Sequence, residues 1–197
     1  MRFARVLAVV SCLVGFGAVP AFAQTGGFLV GVGFSKASPP LANQSVSMKP
    51  GLVVGAFGQF PLFSTISFRP EILYTQKYSE LTTRVGSTTQ VSDLKLDYIE
   101  IPLLARLALF KGLYMTEGIA LGFPIRAKIK PSSGSDRDIK DSLTNPDVAM
   151  VIGGGVPVGG KAGIEFRYTG GFKKLEKVSG NVQRNRSYAV LLRIDMM

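Results

Sequence analysis

The sequence predicts an all-β chain: an eight-stranded antiparallel up-and-down transmembrane β-barrel after a cleaved signal peptide. Three observations predict it. Stretches of period-2 hydrophobicity repeat along the chain from Gln24 onward. The gaps between them alternate between short (60–64, 110–112, 158–161) and long (35–48, 79–93, 130–147, 173–185). Charges within the stretches fall on the face opposite the apolar one. A barrel crossing an outer membrane has this rhythm, with short periplasmic turns and long external loops.

Residues 1–23 read as an export signal. Arg2 and Arg5 make a charged start, 6–19 an apolar core, and Ala21-Phe22-Ala23 a small-x-small cleavage site before Gln24. The apolar run is short for a bilayer span. Later apolar runs are all interrupted by glycine, proline or charge, so none is a spanning helix. Residues 24–197 then form one barrel domain of ordinary size. Cys12, the single cysteine, lies inside the signal core. Val9-Val10-Ser11-Cys12 loosely resembles a lipoprotein cleavage box, but the apolar run continues through Leu13-Val14-Gly15-Phe16, so a cut there would come too early. The mature chain has neither disulfide nor thiol.

The strands follow in order. In 26–35, Phe28, Val30, Val32 and Phe34 share a face opposite Gly27, Gly31 and Gly33. Pro39-Pro40 forces a loop. Strand 49–60 is blurred by small residues and ended by Pro61. In 65–78, Ile66, Phe68, Pro70, Ile72 and Tyr74 oppose Ser67, Arg69, Glu71, Thr75 and Lys77. Pro70 cannot donate to a ladder and predicts a bulge. In 94–110, Ile99, Ile101, Leu103, Ala105, Leu107 and Leu109 oppose Tyr98, Glu100, Pro102 and Arg106. In 113–128, Glu117-Gly118 breaks the pattern and predicts another bulge. Strand 148–158 contains Gly153-Gly154-Gly155. In 161–172, Ala162, Ile164, Phe166 and Tyr168 oppose Gly163, Glu165, Arg167 and Thr169. In 186–197, Tyr188, Val190, Leu192, Ile194 and Met196 oppose Arg193 and Asp195.

Alternation also fits a soluble sheet with one wet face. Charge placement separates the two. A small soluble barrel has an apolar interior, whereas a membrane barrel turns its apolar face to lipid and satisfies every backbone hydrogen bond by closing. The strand charges come as close opposite pairs: Arg69 with Glu71, Glu100 with Arg106, Glu165 with Arg167. Burial of charge is tolerable only in such pairs. Gly31, Gly33, Gly153 and Gly155 are expected to face inward and leave room for long side chains.

Composition narrows the chemistry. The chain has no histidine, which excludes Ser-His and Cys-His nucleophiles and His-ligated metals. It has no tryptophan, so aromatic girdles must use Tyr and Phe. The formal charge is +10, or +8 after the signal is removed. The positive residues are spread over several loops rather than gathered on one element, which argues against nucleic acid. Phosphate-rich lipopolysaccharide and the lipid surface are the expected partners.

The interior charges Arg69, Glu71, Glu100, Arg106, Glu165, Arg167 and Arg193 are the candidate functional constellation. A gated ion path or proton relay is one reading, a structural salt-bridge network the other. Eight strands enclose a space just wide enough for side chains, which favours the network and no open pore. The carboxylates each have a nearby Arg, which argues against a proton donor. Gly153-Gly154-Gly155 lacks the Lys-Ser/Thr of a phosphate loop. Asp136-Arg137-Asp138 has no calcium-loop spacing and reads as a solvated turn. Neither catalytic residue, cofactor nor metal is expected. Tyr74, Tyr78, Tyr98, Tyr114, Tyr168 and Tyr188 serve interfacial belts or interior hydrogen bonds.

Leu96-Asp97-Tyr98-Ile99-Glu100-Ile101-Pro102-Leu103-Leu104-Ala105 resembles the Tyr-x-x-Ile-Pro-Leu-Leu strand of the outer-membrane beta-barrel domain family. These are porin-like proteins of Bacteroidetes-type bacteria, similar to OmpX and the OmpA membrane domain. Phe68-Arg69-Pro70-Glu71-Ile72-Leu73-Tyr74, Gly154-Gly155-Val156, Gly163 to Tyr168 and Asn185-Arg186-Ser187-Tyr188 resemble it more weakly. The resemblance implies an outer-membrane location and insertion by the outer-membrane assembly machinery. It leaves activity open, since a fold hosts many functions. The chain departs from the pattern at Asp195-Met196-Met197, where such barrels often end in an aromatic residue.

The leading expectation is a monomeric barrel with a structural or surface-interaction role. The alternative is a component of a secretion or assembly machine, PorT-like. A soluble periplasmic ligand-binding barrel is disfavoured by the inward charges, and an outer-membrane acylase or protease by the missing histidine.

Overall fold

The computed structural model describes residues 25–38, 44–85, 88–132, 135–143, 145–172 and 184–196. The expected signal peptide, Cys12, Pro39-Pro40 and most of the fourth long gap lie outside these residues. Among the described residues nine strands form: β1 (Thr25–Ser38), β2 (Gln44–Pro61), β3 (Ile66–Val85), β4 (Thr88–Ala108), β5 (Tyr114–Pro131), β6 (Arg137–Asp138), β7 (Asp147–Gly159), β8 (Ala162–Gly171) and β9 (Arg184–Asp195). All but β6 close into a ring ordered β1-β2-β3-β4-β5-β7-β8-β9, sealed by pairing of β9 with β1. Every neighbouring pair is antiparallel. Closure pairs each of the eight ring strands with a neighbour on both sides, which is what permits strands to cross a membrane.

The three tight turns stand where the sequence places them. At the first, the Leu62 and Phe63 amides donate to Ile66 O. Lys111 and Gly112 take positive φ in the second, Gly159 and Gly160 in the third. Glycine supplies that backbone without a Cβ penalty.

The long ends differ from expectation. Residues 79–85 and 88–93 are strand, not loop: β3 and β4 stay paired through Glu80↔Asp93 and Thr82↔Val91 to Val85↔Thr88. About 9–11 tilted residues cross a bilayer, so these strands of 20 and 21 residues project beyond it. Polar and charged residues fall on both faces out there, with Leu81 packing on an apolar cluster, and period-2 hydrophobicity no longer marks the ladder.

The bulges also move. β3 passes Pro70 in constant register (Arg69↔Leu104, Pro70↔Leu103, Leu73↔Glu100), with no bulge. Glu117-Gly118 stays in register with both neighbours. Glu117 therefore keeps its alternating place, exposed on the outer face between Met115 and Ile119. The register shifts fall instead at Lys49/Val53, Asp97/Tyr98 and Pro157/Gly159. Each lies at or beside a proline: Pro50 in β2, Pro124 in β5 opposite Tyr98, and Pro157 in β7. A residue without an N–H is best placed where the ladder is already interrupted.

Alternation puts Phe28, Val30, Val32 and Phe34 of β1, Met115 and Ile119 of β5, and Val190, Leu192 and Ile194 of β9 on the outside, all exposed. Phe63 and Phe110, each 71% exposed, sit at the tight turns. An apolar belt around the whole wall exceeds any patch that a soluble monomer leaves in water. Inside, Leu29, Val53, Phe57, Leu73 and Leu191 form one buried cluster, and Leu104, Ala120 and Val151 another. At the loop end, Leu94, Leu96, Tyr98 and Ala127 pack with Ile139 and Leu143 from the β5–β7 connection. The described part of that connection thus packs on inward residues of β4 and β5.

Candidate functional site

Inward positions of β3 supply Arg69 and Glu71; those of β8 supply Glu165 and Arg167. In the ring order these strands stand four apart among eight, on opposite sides of the lumen. Strand alternation sends both pairs to the axis, where they meet. Arg69 Nε lies 3.0 Å from Glu71 Oε1, and Arg69 Nη1 2.9 Å from Glu165 Oε2. Arg167 Nη1 donates to Glu71 Oε2 at 2.7 Å and Nη2 to Glu71 Oε1 at 3.1 Å. Arg167 Nη2 also pairs with Glu165 Oε1. The result is a closed, neutral ring of two guanidinium and two carboxylate groups across the barrel. All four residues are buried. Cations and anions at such depth are sustained by multiple charge-assisted hydrogen bonds.

Tyr114 of β5 supports this ring. Its hydroxyl donates to Glu165 Oε2 at 2.8 Å. Its ring meets three guanidinium groups, those of Arg106 at 4.1 Å, Arg193 at 4.9 Å and Arg69 at 5.9 Å from its centroid. Arg69 also lies 4.4 Å over the Phe57 ring. Aromatic faces attract cations in this way, most strongly where water is excluded. Gly155 makes the space: a Cβ there would collide with the Tyr114 ring and hydroxyl. The inward glycine serves a tyrosine rather than an Arg or Glu.

The candidate residues therefore separate. Arg69, Glu71, Glu165 and Arg167 come together. Glu100 and Arg106 do not form the pair their spacing suggested. They lie six positions apart on one strand, and nearer partners reach each first. Glu100 takes Lys77 Nζ at 2.6 Å and the Thr75 hydroxyl at 2.9 Å from neighbouring β3. Arg106 stacks on Tyr114. Arg193 pairs with Asp195 at 3.1 Å. Lys77, whose ammonium also lies 4.6 Å from the Tyr98 ring centroid, was marked inward by alternation alone. Tyr114 carried no such cue, because the glycine that admits it lies on another strand.

The tyrosines divide between outside and inside. Tyr98 and Tyr114 are buried in the lumen. Tyr74, Tyr78, Tyr168 and Tyr188 belong to the outer face. At the loop end Asp136 pairs with Lys130 at 3.4 Å, and Asp138 accepts from the Lys140 amide at 2.9 Å, which makes this segment an internally satisfied turn.

Chemically the ring is closed. Both oxygens of Glu71 and both of Glu165 are engaged by guanidinium groups, so neither carboxylate is free to act on a substrate. The lumen void bordered by Thr75, Glu100, Arg167 and Thr169 is about 20 Å³, room for about one water.

Comparison with known proteins agrees with this wall. A search of curated protein sequences found no match. Among solved structures, Neisserial surface protein A is similar at a TM-score of 0.52 and 16% identity, with 86% of this chain and 96% of that one covered. Ail, the attachment invasion locus protein of Yersinia pestis, is similar at a TM-score of 0.51 and 12% identity, with 89% and 99% covered. At these identities the likeness speaks for the fold. A family model described as outer membrane protein beta-barrel domain matches residues 22–176. The chain is a small β-barrel of the outer membrane and belongs to the outer membrane protein beta-barrel domain family.

Proposed function

We propose that the protein is a monomeric, sealed barrel with a structural or surface-interaction role and no open pore. It has no catalytic part to play. Its wall is scaffold, its loop end makes the contacts, and its partners are outer-membrane lipid and lipopolysaccharide. The assembly machinery engages it during insertion. The observation that carries this reading is the four-charge ring joining opposite walls across the lumen. The apolar cluster that Ile139 and Leu143 form with inward residues at the loop end supports it. Ions crossing such a lumen would have to break buried pairs.

Planar-bilayer recording tests the seal. The purified protein should show no unitary conductance steps, and the combined Glu71→Ala and Arg167→Ala variant should show them. Steps from the unaltered barrel would overturn the reading. Mild solubilisation tests the monomer: stoichiometric co-purifying chains would point instead to a secretion or assembly machine.

A further inference from the structure

The rim of the barrel is electrostatically uneven. On the β2–β5 side, acidic residues stand among the cations above the apolar belt and pair with several of them. Lys49 Nζ lies 2.9 Å from Glu80 and 2.6 Å from Asp93. Asp97 accepts from the Tyr78 hydroxyl at 3.1 Å and has Arg126 at 4.0 Å. On the opposite side, Lys36 of β1 and Arg186 of β9 are direct register partners. Alternation continues the outward series of Phe28 to Phe34 into Lys36, and that of Ile194 to Tyr188 into Arg186. Among the described residues neither has an ion-pair partner.

Beneath these two cations the wall is shaped. The next row down runs Phe34↔Tyr188↔Tyr168↔Ile152 across β1, β9, β8 and β7. The row below runs Val32↔Val190↔Phe166↔Gly154. Phe34, Ile152, Gly154, Phe166, Tyr188 and Val190 contribute to an outward groove of about 330 Å³. Gly154 lets the wall dip between its large neighbours. Tyr168 and Tyr188 lie with ring centroids 5.3 Å apart. The Tyr168 hydroxyl reaches Gly170, where a Cβ would stand 3.1 Å from it. Gly170 is itself the register partner of Arg186. A phenol, a guanidinium and an ammonium thus share one height at the top of an apolar groove.

We propose that this β1–β9–β8 seam is a binding site for one phosphorylated acyl glycolipid of the outer leaflet. Its phosphate sits between Lys36 and Arg186, and one acyl chain lies along the groove. The site rests on the lipid-partner reading above and gives it an address. Tight turns are periplasmic in such barrels, so the end bearing Lys36 and Arg186 meets the outer leaflet. Two uncompensated cations match a phosphate, and the guanidinium fork matches its oxygens. The tyrosine pair sits where an amphipathic ring favours the headgroup boundary. Among the described residues no acidic partner pairs with these two cations, unlike Lys49 on the opposite rim.

Native mass spectrometry of the purified full chain in micelles, titrated with bisphosphorylated lipid A, tests the site. One lipid A should remain bound per barrel, in preference to phosphatidylethanolamine. Lys36→Ser with Arg186→Ser should weaken retention about tenfold or more. Val190→Trp, which fills the groove from an exposed position, should weaken it independently. Excess inorganic phosphate should not displace the lipid, because it has no acyl chain for the groove. Heat-modifiable gel migration confirms that each variant is a closed barrel. Unchanged retention in the double serine variant overturns this site while leaving lipid binding elsewhere on the wall intact. A native barrel that retains no lipid A overturns both the site and the partner reading on which it rests.

Discussion

Arg167 grips Glu71 with two hydrogen bonds, of 2.7 and 3.1 Å, across 96 residues of sequence and the full width of the barrel. One residue belongs to β8 and the other to β3, strands that share no ladder. Removing one partner strands a buried charge, whereas removing both does not. Arg167→Met should lower the unfolding free energy by about 3–5 kcal/mol. Adding Glu71→Leu should recover part of that loss. Urea titration followed by gel migration reads the cycle, and simple additivity of the two substitutions would show that the pair is not coupled.

Gly155 and Tyr114 form a second dependent pair. Gly155→Ala overpacks the space beside the phenol and should cost about 1–3 kcal/mol. In a Tyr114→Ala background the same substitution should cost much less, because the colliding ring is gone. An equal cost in both backgrounds would place the strain in the backbone instead. The same urea assay reads this comparison.

The outward face should be wetted by acyl chains. Spin labels at Ile99, Leu103 and Phe166 are expected to relax faster with dissolved oxygen than with a water-soluble nickel reagent. Labels replacing the buried Leu104 or Leu191 should be reached poorly by either agent, provided the barrel still closes. Nickel access at the three outward positions would mean that water, not hydrocarbon, covers the wall.

The sequence by itself determined the strand number, the tight turns, the two faces and the inward placement of the seven candidate charges. All of these follow from the period of two: each side chain's face is set by its neighbours on the same strand. Lys77 is an instructive case, since alternation turned it inward although nothing in the sequence named Glu100 as its partner. The tertiary structure alone decided which charges meet. Arg69, Glu71, Glu165 and Arg167 assemble because ring closure sets β3 opposite β8, a relation between distant segments that no local pattern encodes. It also decided where the ladders end, because hydrophobic alternation fades once β3 and β4 pass beyond the membrane and carry polar residues on both faces. The bulges moved for a related reason: a missing N–H matters only according to the ladder it faces, so Pro70 was tolerated in register while breaks gathered at Pro50, Pro124 and Pro157.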